Sequence, residues 1–175
     1  LSKPLPFQLQ VYLASMAVAH MGEYMFVLCF HPSELKWDSY LINQSKAYMI
    51  AAVFSWVEFC VFFGKKPLIM NMAMFPLGVI FIITGHYIRI GAMFTARKSF
   101  HHIVQEKKAP AHTLVTSGVY AYFRHPSYFG WFLWALGTQL VLGNPISLVG
   151  YALAAYAFFK DRIPYEEYKL TEFFG

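Results

Sequence analysis

The sequence of 175 residues is 58% hydrophobic and 19% aromatic, and only 13% of it is charged. Soluble domains carry about 25% charged residues, so this composition argues against a soluble globular protein. The net charge of +5 would suggest nucleic acid in a soluble chain. In one this apolar it is the Lys and Arg excess of cytoplasmic membrane loops, and no nucleic-acid partner is expected.

Asp, Glu, Lys and Arg are absent from Pro4 to Gly22, from Pro67 to Ile88 and from His125 to Phe159. A spanning helix needs about 20 mostly apolar residues, and the last gap holds two short ones. In chain order, the first predicted span runs from about Pro4 to Phe26, with His20 and Glu23 near its end. The second covers Ala47 to Gly64. Lys65 and Lys66 turn the chain into the third, which continues to about Phe94. A polar stretch, Thr95 to Arg124, precedes a hairpin of two short spans, Tyr128 to Gly143 and Ile146 to Phe159, joined by the turn signal "GNP". The expected fold class is all-α: a polytopic integral membrane helical bundle of about five spanning helices, forming a single domain over residues 1–175.

Arg97, Lys98, Lys107, Lys108 and Arg124 precede the hairpin, and Lys160, Arg162 and Lys169 follow it. Both groups lie on one side, which the positive-inside rule makes cytosolic. Counting back, the loop "HPSELKWDSYLINQSK" falls on that side as well. Cys29 and Cys60 have no metal or redox spacing and read as packing residues. The chain shows no signal peptide and begins without an initiator Met, so further segments are expected at its ends.

Four constellations carry chemistry. "RHPSY" puts Pro126 at the first position of a helix, where its preset φ costs nothing and the neighbouring free N–H groups can seat an anion. Arg124 strengthens that seat; an interfacial anchor is the plainer reading of the same residues. "KDRIPYEEYKL" places Arg162 and Glu166 four apart on one helix face, by itself an ordinary surface ion pair. The hairpin brings that pair back near His125, so two weak signals meet on one side of the membrane. "QEKKAPAHTLVTSGVYAYF" offers His112, Thr113, Ser117 and Tyr120 on a polar loop, without any nucleotide-binding glycine pattern. Metal binding is not expected, since His101-His102 is a bare pair with no third ligand at helix spacing. Lastly, Glu23, Glu58, His86 and Arg89 interrupt apolar segments. Charge at bilayer depth is costly. An interfacial place for His86 and Arg89, a partner for Glu58, and a structural role for all four are expected.

Taken together, these residues resemble the isoprenylcysteine carboxyl methyltransferases. The resemblance runs from "GHYIRIGAMFTARKSFHHIVQEKKAPAHTLVTSGVYAYFRHPSYFGWF" through "NPIS" to "FFKDR", "EE" and "FFG". "RHPSY" alone is shared with phospholipid methyltransferases and sterol reductases. The resemblance implies an endoplasmic-reticulum multi-pass enzyme with its site facing the cytosol. It would move a methyl group from S-adenosyl-L-methionine (AdoMet), leaving S-adenosylhomocysteine. The acceptor would be the C-terminal S-prenylcysteine carboxylate of CAAX-processed proteins such as small GTPases, presented in membrane lipid. The cofactor contacts it implies are Gln105, His112, Thr113, Leu114, Val115, Tyr120, His125, Pro126, Ser127, Tyr128 and Glu166; Arg162 would contact the substrate. To these the reading of the helix start adds Arg124 and Pro126 as a seat for the cofactor's carboxylate. Arg162, gripping the acceptor, and Glu166, beside the cofactor's cationic end, are the expected catalytic residues. Further helices before this stretch and a tail after it are also implied.

Three other readings remain open. A phospholipid N-methyltransferase would need a base, His125 or Glu166, to deprotonate an amine. A sterol-reductase-like enzyme would use a nicotinamide cofactor. A lipid-binding scaffold or transporter would draw on Glu23 and Glu58, though no inverted repeat supports it.

Overall fold

The structure, a computed structural model, describes residues 4–42, 46–63, 68–108 and 112–175. The expected turn at Lys65 and Lys66 lies outside these residues. The described residues form five α-helices: α1 (Phe7–Phe30), α2 (Lys46–Phe62), α3 (Leu68–Ala96), α4 (Pro126–Leu142) and α5 (Pro145–Phe174). Short 3₁₀ turns at Pro32–Glu34, Trp37–Tyr40, Arg97–Ser99 and Gly118–Ala121 shape the connections. The described residues contain no strand. By length and apolarity alone, Phe7–Phe30 and Met72–Ser99 qualify as membrane spans. At 17 residues each, α2 and α4 reach only about 26 Å, long enough to span only when close to upright.

The axis of the bundle is the pair α3 and α4, and its closeness is written in glycine. Gly78 and Gly85 on α3 face Gly137 and Gly130 on α4, each pair of residues seven apart along its helix. A Cβ on Gly85 would stand 2.6 Å from the Trp134 backbone nitrogen, and one on Gly130 2.6 Å from that of Arg89. Backbone cannot yield as a side-chain tip can, so any larger residue drives the helices apart. Lipid offers no hydrophobic drive between helices, and close backbone contact through small residues supplies the attraction instead. α1 then lies against this pair. Trp134 is buried beside Ile82, Ala135 and Val141, and its indole N–H donates to Ser15 Oγ at 2.9 Å.

Each end of the hairpin has a local cause. Pro126 starts α4, and Gly143 ends it in the left-handed region at φ 64°, its N–H reaching back to Gln139 and Leu140 carbonyls. Pro145 begins α5 one residue after Asn144. The free N–H groups of that new helix find a partner from across the bundle. Glu58 of α2 accepts from the Ile146 N–H at 3.0 Å, the Ser147 N–H at 2.7 Å and the Ser147 hydroxyl. Asn144 donates to the Ser55 carbonyl at 2.8 Å, and Ser55 Oγ donates to Gln139. A carboxylate in an apolar helix is thereby stabilised by a helix N-terminus. Its role is structural, and its partners are the backbone N–H groups and the serine hydroxyl of that helix start.

Three boundaries differ from expectation. α1 continues to Phe30, so Glu23 lies well inside the helix rather than near its end. α3 likewise runs to Ala96, past the expected Phe94, and holds Arg89 half-buried against Glu23 and Ser127. The largest difference is α5, which does not stop at Phe159. It runs unbroken through Pro164 to Phe174, about 45 Å in all. Charge ends a lipid-facing segment, but it does not end a helix.

At the end opposite the hairpin turn, α1 delivers residues 31–42 and α3 delivers residues 97–108. The two meet over a cluster of Phe26, Val27 and Met93 with Phe30, Leu35, Ile90 and Phe100. Tyr40 stacks on Tyr24 at 4.2 Å. The second half of α5 returns to this same end, as the hairpin requires.

Candidate functional site

At that end lies an open cleft, about 1000 Å³ when the solvent-filled mouth is included. Every residue that the resemblance and the helix start put forward lines it, whereas Ser117 does not. Gln105 and the run His112, Thr113, Leu114 and Val115 come from the polar connection; Tyr120 comes from the 3₁₀ turn before α4. Arg124 to Tyr128 form the α4 start, and Arg162 and Glu166 arrive on α5. Residues over sixty positions apart converge because α5 is one rigid rod leaving the membrane beside the α4 N-terminus.

The expected Arg162–Glu166 face is real, but the two do not pair directly. The Tyr128 hydroxyl stands between them: it donates to Glu166 at 2.5 Å and accepts from Arg162 Nε at 3.1 Å. Arg162 also donates to the His102 carbonyl at 2.9 Å. The guanidinium is thus aimed by two fixed acceptors, with donors left for a ligand. His125 stacks flat against the Tyr128 ring, 5.7 Å between centroids, and its Nε2 meets Glu167 at 3.1 Å. Arg124 sits at the rim with its side chain 85% exposed, and its guanidinium pairs with Glu167 at 3.4 Å. It is therefore less committed to the interior than the α4 start itself.

Electrostatics separate donors from acceptors. Burial, helped by the Glu166 carboxylate, pushes the Tyr120 phenol up to about 12, so it stays a proton donor at neutral pH. Burial also holds His101, His102 and His112 below the usual histidine range, which keeps their rings neutral. Glu167 is held below the usual carboxylate range, first by the His125 hydrogen bond and then by Arg124.

Sequence reasoning missed several wall residues. Arg89 reaches the floor of the cavity, held by Glu23 and by Ser127 Oγ at 2.9 Å. His102 Nε2 faces Glu23 Oε2 at 3.5 Å without a hydrogen bond. Lys169, Leu170 and Phe173 close the α5 side. An arginine inside an apolar run was the available signal for Arg89; it pointed to a special place without naming it. Nothing local marked His102, whose neighbours are brought by three separate helices.

Comparisons with known proteins agree on one family. Residues 77–172, more than half of the chain, match the model of the isoprenylcysteine carboxyl methyltransferase (ICMT) family. A protein-S-isoprenylcysteine O-methyltransferase of Xenopus laevis is 46% identical over 165 residues, which cover 94% of this chain and 57% of that protein. Its Homo sapiens counterpart is 45% identical, with 94% and 58% covered. The solved structure of the eukaryotic intramembrane Ras methyltransferase ICMT superposes with a TM-score of 0.87 at 43% identity, over 98% of this chain and 63% of that one. The chain thus spans a little over half the length of these two curated relatives.

Proposed function

The chain belongs to the isoprenylcysteine carboxyl methyltransferase family, and from that premise we propose that it methylates the C-terminal carboxylate of S-prenylcysteine. The substrates on this reading are CAAX-processed proteins, small GTPases among them, and the methyl donor is AdoMet. The observation that carries the proposal is the convergence of the candidate residues on one cavity where apolar helices give way to polar connections. A water-soluble donor enters such a site from solvent, and a prenylated acceptor reaches it from lipid.

Features of the cavity itself support AdoMet as the donor. His112 Nδ1 is a buried polar atom in its wall with no hydrogen-bond partner among the described residues, so a ligand would complete it. Glu166 offers a carboxylate to a cationic group, and the N–H groups at the Pro126 helix start offer an anion seat. When bound, AdoMet supplies a methyl group made electrophilic by its sulfonium. Gln105, His112 to Val115, Tyr120, Arg124 to Tyr128 and Glu166 are the residues we assign to holding it.

The protein's share of the chemistry is modest in kind. A C-terminal carboxylate, with an ordinary pKa of about 3.5, is already ionised at neutral pH, so no side chain need act as base. Alignment and exclusion of water remain, and these are proximity effects. Arg162 is built for alignment, because a planar guanidinium grips a carboxylate in two places. The Tyr128 hydroxyl and the His102 carbonyl fix its direction beforehand. Arg89, at the cavity floor, adds a second positive charge on the same side.

On this reading the chain forms one methyltransferase unit in the endoplasmic-reticulum membrane, its cavity on the cytosolic side. The basic residues gathered at the cavity end support that orientation. The test is transfer by the full-length protein in detergent, from labelled AdoMet to a farnesylcysteine acceptor or, in parallel, to phosphatidylethanolamine. Base-labile label on the prenylcysteine is the expected result. Label on the lipid amine alone would overturn the substrate and keep the donor.

A further inference from the structure

We propose that His31, Glu34 and His101 form a binding site for a divalent transition-metal ion of the zinc type, behind the cavity wall. The proposal stands on side-chain geometry and does not depend on the methyltransferase reading. His31 ends α1, Glu34 lies in the 3₁₀ turn that follows, and His101 comes from the connection after α3. One ligand atom from each lies within 4.8 Å of the others, although His31 and His101 are seventy positions apart.

The hydrogen bonding of His31 selects its role. Its Nε2 meets the Phe100 carbonyl at 3.1 Å, and a carbonyl only accepts, so that nitrogen carries the proton. In the neutral ring Nδ1 is then a bare lone pair, and it looks at Glu34 Oε1 across 3.9 Å. Two acceptors facing each other gain nothing unless a proton or a metal cation sits between them. A histidine that donates its second N–H to a backbone carbonyl is also the usual arrangement around protein-bound metal. The His101 ring lies alongside at 4.9 Å between centroids.

Two imidazoles and a carboxylate suit zinc, with a fourth position left to water. Zinc–nitrogen distances of about 2.0 Å would bring tetrahedral ligand atoms to about 3.3 Å from one another. The three ligand atoms lie within 4.8 Å of one another, so binding would draw them together, and Glu34, its side chain 65% exposed, is free to swing inward. A bound ion would tie the end of α1 to the segment that walls the cavity. His101 lines the cavity itself and faces the His112 ring edge-on at 6.1 Å. The role we assign to the metal is therefore to pin this wall, with no part in the chemistry.

The experiment is zinc titration of the metal-stripped full-length protein in detergent, its affinity tag removed, against a chromophoric chelator. One zinc per chain at micromolar affinity or tighter is expected, with a rise in thermal midpoint. His31→Ala and His101→Ala should each weaken binding at least tenfold and abolish the rise. Glu34→Gln changes an exposed side chain that packs little, so it leaves folding intact and should weaken binding in the same direction. Absence of stoichiometric uptake overturns the proposal and leaves a histidine–glutamate ion pair at this place. Uptake that persists undiminished in all three variants overturns it too, because the metal would then be held elsewhere.

Discussion

The two ends of this bundle both hold carboxylates among apolar helices, and they treat them in opposite ways. At the hairpin end both oxygens of Glu58 accept hydrogen bonds from the start of α5. Around it, Ser55, Gln139 and Asn144 bond to one another across α2 and the hairpin. At the cavity end Glu23 has one oxygen on Arg89 and the other facing His102 without a hydrogen bond, and His112 Nδ1 has no partner among the described residues. One network closes on itself and holds helices together. The other is left incomplete beside an open cavity. Buried polar groups are normally satisfied, so incompleteness concentrated around one cavity marks where a ligand belongs.

Substitutions at the two ends should therefore fail differently. The largest effect is expected from Arg162→Lys, which keeps the charge and loses the fork. Transition-state donors of this kind are worth about 10²- to 10³-fold, so kcat/KM for methyl transfer should fall about a hundredfold with the thermal midpoint nearly unchanged. A near-normal rate would remove Arg162 from the role of carboxylate clamp. Next comes Glu58→Ala, which strands the donors of Ile146 and Ser147. It should cost about 3 kcal/mol of stability, read as a fall of several degrees in thermal midpoint, while AdoMet affinity of the folded protein stays the same. Altered affinity with unaltered stability would show that the hairpin end is not the purely structural one. Third is Glu166→Gln, which preserves an acceptor for the Tyr128 hydroxyl and removes only the charge. AdoMet affinity measured by calorimetry should fall about tenfold, the size of one lost charge contact. An unchanged affinity would take Glu166 out of cofactor binding.

How much of this was legible in the sequence follows the same division. Spans were readable because lipid forbids charge: the first two charge gaps overlap most of α1 and α3, and the third covers α4, its turn and the first half of α5. The end of α5 was not, because the criterion that finds a span ends at Lys160 while helical hydrogen bonding does not. The α3–α4 contact was invisible in pattern alone: Gly78 and Gly85 have value only against Gly137 and Gly130, and no local rule pairs them. The lining residues were legible through resemblance and through the Pro126 helix start. What escaped was everything that needs several helices at once. Arg89 and Glu58 look alike as isolated charges in apolar runs, yet one sits on the cavity floor and the other caps a helix. His31 and His101 gave no metal spacing because their meeting is a property of the fold.

The smallest expected effect separates the two ends by acidity. The hairpin-end network of Ser55, Glu58, Gln139, Asn144 and Ser147 contains no histidine, whereas His102 stands half-buried beside the cavity. Burial holds its pKa below the ordinary 6.5, partly opposed by Glu23 and aided by Arg89. Its folded value is lowered, so the unfolded chain binds the proton more readily between that value and about 6.5. Stability contributed by the neutral ring is therefore complete above about pH 6.5 and is lost as the pH falls below it. In metal-free buffer, the thermal midpoint of the protein should drop between pH 7 and pH 5.5, and His102→Gln should flatten part of that slope. Glu58→Ala should lower the whole curve and leave its slope alone. If instead His102→Gln keeps the full acid sensitivity, the titrating group lies elsewhere, and His112 becomes the group to replace next.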